Sequence, residues 1–351
     1  MVELLPHARC FDCAQHDVLY YGPIQFYLNR HGALFLMAKV PLLALLSLLA
    51  AAPAAHAQNA PRLPSRARPV RKARLDRAVP ETSALLYTDG ALWTVNDGGN
   101  APVLFRLDSA TGNVLQQVRL RNVANVDWEA LTADANYLYV GDFGNNAGKR
   151  RNLRVLRVAK TTLGPAADTV AADEIAFHYP EQTDFSTAIY RHNFDCEAFF
   201  YFRDSLHFFT KNWADRRTRY YTVPAQPGSH AAHFKETFDV KGLVTAAALN
   251  PAGTAAALLG YDARNGATFL WLLSDFADTR FFAGQARRLR LPNALRIGQA
   301  EGLCFVGPHR VFVSNERLAR YFALVPQRLY ALNLRRWLGL SAASGPTQTG
   351  R

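Results

Sequence analysis

Three glutamates recur in this chain behind the same short motif. They read Glu129-Ala130-Leu131, Glu197-Ala198-Phe199 and Glu301-Gly302-Leu303. Each is followed by a turn and an alternating apolar run, which ends in acids, amides or a lysine: Asp142 with Asn145 and Asn146, Lys211 with Asn212, and Asn315 with Glu316. Asp97 closes a weaker copy of the plan, and Asp127-Trp128 stand directly before the first glutamate. Carboxylate and amide oxygens in such a set suit a hard divalent cation, Ca²⁺ or Mg²⁺, rather than a soft metal. A cation held there could in turn hold an anionic ligand, or activate water against a phosphoester or lactone. A pair of carboxylates at the right separation could also divide acid and base roles on a glycoside.

Other chemistry-bearing patterns carry less. Asp142-Phe143-Gly144 spells D-F-G, but no Gly-rich phosphate loop or H-R-D accompanies it. The run from Asp142 resembles the start of a calcium loop, yet Leu153 stands where its bidentate glutamate belongs. His230 and His233 lie in a Pro/Gly/Ser/Ala-rich stretch that reads as a surface loop. Asn96-Asp97-Gly98-Gly99 is a turn signal before it is a site. With no Walker loop and no G-x-S-x-G elbow, neither a nucleotide nor a redox cofactor is expected.

The elements that must position these residues are short antiparallel strands. The motif-turn-strand unit occurs three times with glutamate and twice with a substitute, Ser83-Ala84-Leu85 and Thr245-Ala246-Ala247. Two less regular strands follow each pair, as in Val103 to Leu107 and Val114 to Leu120. Four strands per unit at a spacing near 50 residues fit propeller blades. The fold class is therefore all-β, a single β-propeller of four-stranded antiparallel blades. Five signatures point to five blades; a sixth hidden within residues 152–184 is the alternative count. The last unit shows three strands, and the missing fourth can come from the segment Val70 to Leu75.

Hairpin geometry places the polar residues on one side. Glu129 begins one strand and Asp142 ends its antiparallel neighbour, so both lie at the same edge of the sheet. The glutamates and their partners then gather around one mouth of the central channel, with Asp127, Trp128, Lys211 and Asn212 on its rim. The residue after each lead position is small (Ala84, Ala130, Ala198, Ala246, Gly302), as crowding near the axis would require. Two roles remain open for the glutamates: leaning into the channel, or tying adjacent blades by accepting backbone N–H bonds.

The chain divides as follows. Residues 37–57 carry one Lys, an apolar run and Ala55-His56-Ala57, the pattern of a secretory signal peptide cut before Gln58. Residues 1–36, including the lone Cys10-Phe11-Asp12-Cys13, then read as upstream translation. Residues 58–80 form a basic Pro/Arg-rich lead-in carrying about half of the net charge of +12. Residues 81–340 are the propeller and 341–351 a disordered tail. Export removes nucleic acid as a partner and leaves a small molecule or an acidic polysaccharide. No transmembrane span remains in residues 58–351. Cys196 and Cys304 sit in different units, and the core is large enough not to need a bridge.

Asp-Trp-Glu-Ala at 127–130, Gly-Asp-Phe-Gly-Asn-Asn at 141–146 and Ser-Asn-Glu at 314–316 resemble motifs of poorly characterised secreted bacterial propellers. The resemblance covers most of residues 83–332. In outline the fold is also similar to esterase-like phytases and sugar-lactone hydrolases, which implies an acidic, metal-binding central funnel; Ser83 and Thr245 depart from the glutamate pattern. The expectation is an exported ligand-binding propeller with a cation-competent mouth. Its rivals are a metal-dependent hydrolase of a phosphoester or lactone, and a non-catalytic envelope-attachment module.

Overall fold

Alternating short strands joined by tight turns form five four-stranded antiparallel sheets, and these make a five-bladed β-propeller. The computed structural model describes residues 65–186, 188–320 and 323–339. The proposed signal peptide, the segment before it and the tail lie outside the described residues. The inner strands of blades 1 to 5 are Leu86–Thr88, Trp128–Ala133, Cys196–Phe202, Leu243–Leu249 and Gln299–Phe305. Each packs beside the next, and the fifth packs beside the first, so the ring is closed. Residues 152–184 do not form a sixth blade. They supply the third and fourth strands of blade 2 (Arg154–Ala159 and Asp173–His178) and a short strand, Thr169–Val170.

The fourth strand of blade 5 comes from the other end of the domain. Val70–Arg74 pairs antiparallel with Arg328–Asn333. The segment just before such an outer strand repeatedly reaches back to the preceding blade. Thr169–Val170 runs parallel to the outer strand of blade 1, and Gly228–Ala231 to that of blade 2. Arg66 bridges Arg290 on blade 4 in the same way. These straps cover edges that would otherwise offer unpaired backbone groups. His230 and His233 belong to this system: they lie in Gly228–Ala231 and His233–Phe238, strands at the outer edge rather than a loop. Among the described residues, no helix is long and apolar enough to cross a membrane.

The core is distributed between blades. Five apolar layers fill the five boundaries, as where Trp93 and Leu104 of blade 1 meet Trp128 and Val140 of blade 2. The small residues of the repeat serve these layers. Ala84, Ala130, Ala198 and Ala246 are buried in four of the five, and a Cβ on Gly302 would meet Leu85 Cγ at 2.8 Å. Their small size suits these close-packed layers; at Gly302 the neighbours are Ser314 of its own blade and Leu85 of the next. Cys196 and Cys304 are buried free thiols in different layers.

Candidate functional site

A β-bulge sets the direction of each lead residue. Strand register shifts by one between Trp128 and Ala130, between Cys196 and Ala198, between Val244 and Ala246, and between Ala300 and Gly302. The skipped residues are Glu129, Glu197, Thr245 and Glu301. Ser83 sits at the same irregularity, since Thr82 faces Asn96 while Leu86 faces Trp93. A bulge leaves one residue unpaired and re-aims its side chain. That releases the lead residue from strict alternation while its small neighbour stays in the interblade layer.

The two kinds of lead residue then do different work. Ser83 Oγ donates to the carbonyl of Trp128 on the next blade at 2.8 Å, and Thr245 Oγ1 to that of Ala300 at 2.9 Å. The hydroxyl copies tie blades together. The donors to the glutamate carboxylates are side chains instead, Lys211 to Glu197 and Gln299 to Glu301. The carboxylates converge on one another. The charge of Glu197 acts on Glu129, that of Glu301 acts on Glu197, and that of Asp97 acts on Glu129.

The tightest group is Asp97, Asp127 and Glu129, whose carboxylate oxygens lie within 4.8 Å of one another. Asp97 comes from blade 1 and the other two from blade 2. Burial pushes the Asp97 carboxyl up to about 7 and that of Asp127 up to about 6, with neighbouring carboxylates adding to both shifts. Burial likewise holds Glu129 well above the usual range, helped by Glu197, Asp97 and Asp127. Two glycines bring backbone against this group. A Cβ on Gly98 would meet Asp127 Oδ1 at 2.6 Å, and one on Gly144 would collide with the carboxylates of both Asp127 and Glu129.

Blades 3, 4 and 5 complete the mouth. Lys211 forms a buried ion pair with Glu197. Burial works against the charge on Lys211, but Glu197, Tyr261, Asp195 and Glu301 together hold its pKa well above the ordinary range. Its Nζ lies 4.9 Å from the Trp213 ring centre and 5.7 Å from that of Tyr261. Gln299 stands opposite Glu316 in the blade 5 hairpin and donates to Glu301, with Glu316 Oε2 at 3.5 Å. Burial, then Glu301, raises the Glu316 carboxyl well above its usual range. Glu197 Oε2, Glu316 Oε1 and Asn315 Oδ1 are buried without a hydrogen-bond partner. Such groups are costly unless a cation or water meets them.

Several residues expected at the site lie behind it. Asp142 is fully buried and is engaged by Arg150 Nη2 at 2.9 Å, Arg154 Nε at 3.0 Å and the Asp127 amide at 3.1 Å. Its oxygens face guanidinium groups rather than the acidic cluster. Asn145 joins blade 2 to blade 3, donating its amide to Asp195 at 2.7 Å and its Nδ2 to the Phe194 carbonyl. Asn146 contributes its carbonyl to His192 and Tyr190. Asn212 is buried between Thr210 and Asp215. Asn315 donates to the carbonyls of Glu316 and Pro326. Trp128 is not on the rim; it is fully buried in the layer between blades 1 and 2.

Four residues carry weight that the repeat did not single out. Asn125 Nδ2 donates to the carbonyls of Asn96 and Asp97, both at 2.9 Å, while its Oδ1 accepts from the Trp128 amide at 3.0 Å. Asp195 accepts from Asn145, Cys196 and Trp213 Nε1. Gln299 and Tyr261 shape the blade 4 and 5 side. A signal existed for two of them: an acid or its amide two residues before each glutamate, in Asp127-Trp128-Glu129, Asp195-Cys196-Glu197 and Gln299-Ala300-Glu301. The opposite mouth differs. A cavity of about 350 Å³ there is lined by Tyr87, Thr132, Phe200, Asn250, Phe305 and their neighbours, without a charged side chain.

No family model matches the chain, and no curated protein does. Solved structures resemble it in outline. A PQQ-bound aldose sugar dehydrogenase from Streptomyces coelicolor is 10% identical over 77% of this chain and 99% of that one, with a TM-score of 0.46. An exo-β-1,3-galactanase from Phanerochaete chrysosporium is 11% identical over 75% and 64%, also at 0.46. A putative 6-phosphogluconolactonase from Bacteroides uniformis is 13% identical over 73% and 74%, at 0.37. At such identities the likeness is one of strand architecture, below the level at which individual side chains correspond.

Proposed function

We propose that the acidic mouth binds a divalent cation, Ca²⁺ or Mg²⁺, through Asp97, Asp127 and Glu129, and that the cation presents a coordination position to a small oxygen-bearing ligand. The observation that carries this reading is the convergence of three carboxylates from two blades within 4.8 Å. Burial raises all three, so their mutual repulsion is relieved only by protons or by a cation. Among the described residues the ammonium nearby is that of Lys211, already paired with Glu197. All-oxygen donors favour hard cations. The ring is strongly acidic, so an anionic ligand would reach it only through the metal. We further place this activity outside the cytoplasm, reading residues 37–57 as a signal peptide.

Calorimetric titration of the purified, chelator-stripped protein tests the reading. Saturable binding of Ca²⁺ or Mg²⁺ at one site per chain supports it. Absence of heat and of any thermal shift with either ion defeats it. A mature N-terminus at Gln58 in protein recovered after export tests the localisation.

Hydrolysis of a phosphoester or lactone is a second reading, favoured by the Glu301–Glu316 pair. Burial, and after it the charge of Glu301, raises the Glu316 carboxyl well above its usual range and so favours its protonated form. A protonated carboxyl beside a metal-bound water provides a proton donor for a leaving oxygen. Metal-dependent turnover of such substrates, lost in Glu316→Gln, would support it.

A further inference from the structure

Beside the acids, on the same face of the ring, a cavity of about 390 Å³ opens between blades 4 and 5. The turn joining the second and third strands of blade 4, the segment linking blades 4 and 5, and Leu318 of blade 5 enclose it. Its size falls within the range of small-molecule sites. Two of its walls are shared with the acidic mouth. Tyr261 faces Lys211 on one side and lines the cavity on the other; Gln299, which donates to Glu301, does the same.

The lining selects a ligand class. It contains no charged residue, so an ionic group would leave water for no compensating partner. It does carry neutral hydrogen-bonding groups on Tyr261, Asn265, Thr268, Asn293 and Gln299. Asn293 precedes the short helix Ala294–Ile297, yet its side chain makes no capping bond. Asn265 spends its Oδ1 on the Ala267 amide, which orients its Nδ2 as a donor. Leu295 and Leu318 give the opposite wall an apolar face, and Leu295 is 66% exposed although it is a large hydrophobe. Gly266 adds depth, since a Cβ there would meet nothing within 4 Å. Amides and hydroxyls facing an aliphatic wall match a ring with hydroxyl edges and C–H faces.

We infer that this cavity is a binding subsite for a neutral sugar ring, free or at the end of a chain, placed beside the acidic mouth. The inference goes beyond the cation reading and does not depend on it, because the lining carries no carboxylate and none of Asp97, Asp127 and Glu129 belongs to it. Sugar binding is therefore expected to persist in chelator, whereas failure of the cation reading would show only in the metal titration.

Saturation-transfer NMR and calorimetry of the whole chain in excess EDTA, against neutral monosaccharides and neutral di- and trisaccharides, test it. Saturable binding of at least one member is expected. Two variants at the cavity wall, Ala263→Trp at an exposed alanine and Asn293→Ala, should each weaken it about tenfold. Monosaccharide binding would point to free sugar as the ligand, and binding of the longer members alone to a chain end; both uphold the subsite. No saturable binding at concentrations up to roughly 10 mM overturns it, as does binding that both variants leave unchanged.

Discussion

Asn125 holds the backbone of Asp97 across the boundary between blades 1 and 2: its Nδ2 lies 2.9 Å from the Asp97 carbonyl oxygen, while its Oδ1 takes the amide of Trp128. The two ends of this one side chain therefore fix the spacing between Asp97 and the Asp127–Glu129 pair. Asn125→Ala should cost about 1–3 kcal/mol of stability through the buried groups it leaves unpaired. It should also weaken Ca²⁺ binding about tenfold, since ligands held loosely lose preorganisation. Calorimetry alongside denaturant unfolding separates the two effects; unaltered metal affinity would count against the positioning role.

Acids of the mouth and the acid behind it should respond differently to neutral replacement. Asp127→Asn and Glu129→Gln remove charge from a site of crowded carboxylates, so both should fold and lose at least tenfold in metal affinity. Asp142→Asn instead leaves Arg150 and Arg154 without their buried partner. Breaking a buried pair costs roughly 3–5 kcal/mol, and here Arg154 keeps Glu174 as a partner, so the lower end is expected. Urea midpoints for the three variants check the order.

The pH dependence has a defined sign. Asp97 and Asp127 are raised by burial to about 7 and about 6, above the roughly 3.9 of an unfolded chain. Between about pH 4 and 7 the folded protein therefore holds more protons than the unfolded one, and metal-free stability falls as pH rises through that window. Metal needs the ionised forms, so its affinity climbs over the same range. Thermal unfolding in EDTA should give a higher midpoint at pH 5 than at pH 8, and saturating Ca²⁺ should remove or reverse the difference. A metal-free midpoint that rises with pH would be the contrary result.

Lys211 is the one cation inside the ring of acids among the described residues. Lys211→Met strands Glu197 in a buried site, which predicts a loss of about 3–5 kcal/mol. Adding Glu197→Gln should recover part of it, as a double-mutant cycle would show. With the ammonium gone, Ca²⁺ should raise the unfolding midpoint of Lys211→Met more than that of the parent. An equal shift in both would separate Lys211 from the cation site.

Gly144→Ala tests the close approach directly. Its Cβ would press on the carboxylates of Asp127 and Glu129. Metal affinity should drop about tenfold or more while Gly99→Ala, at a glycine with open space around it, costs only the strain of its positive φ. Parallel titrations of the two variants decide the matter.

The blade plan was legible because a period of about 50 residues carries its own signature: motif, turn, alternation, polar end. The glutamates were legible as a set, yet their two open roles were not resolved by alternation, since alternation fails at a bulge. An inserted residue leaves no mark in a sequence of otherwise ordinary strand formers. Ser83 and Thr245 looked like departures from the pattern; their hydroxyls reach the next blade, a contact made over 45 and 55 residues of chain. Asp142 and Glu129 were equivalent on paper, as paired ends of one hairpin. What parts them is Arg150 and Arg154, whose aim depends on how the third strand of blade 2 lies beside the second. Asn125 sits in a linker with no repeat to call attention to it.

Closure by Val70–Arg74 has a kinetic consequence. The strand made first in the domain must wait for Arg328–Asn333, made last, before the final sheet is complete. Contacts so distant along the chain are slow to form, because a large loop is closed before any reward is gained. Until then the layer between blades 5 and 1, which contains Leu85, Phe105, Phe312 and Leu329, has no lasting partner surface. A nascent chain should therefore close its ring only after Arg328–Asn333 is made, with its apolar edges exposed in the interval. Removing residues 65–74 should leave a molecule that makes most of its strands and aggregates through the unclasped edge of its fifth blade.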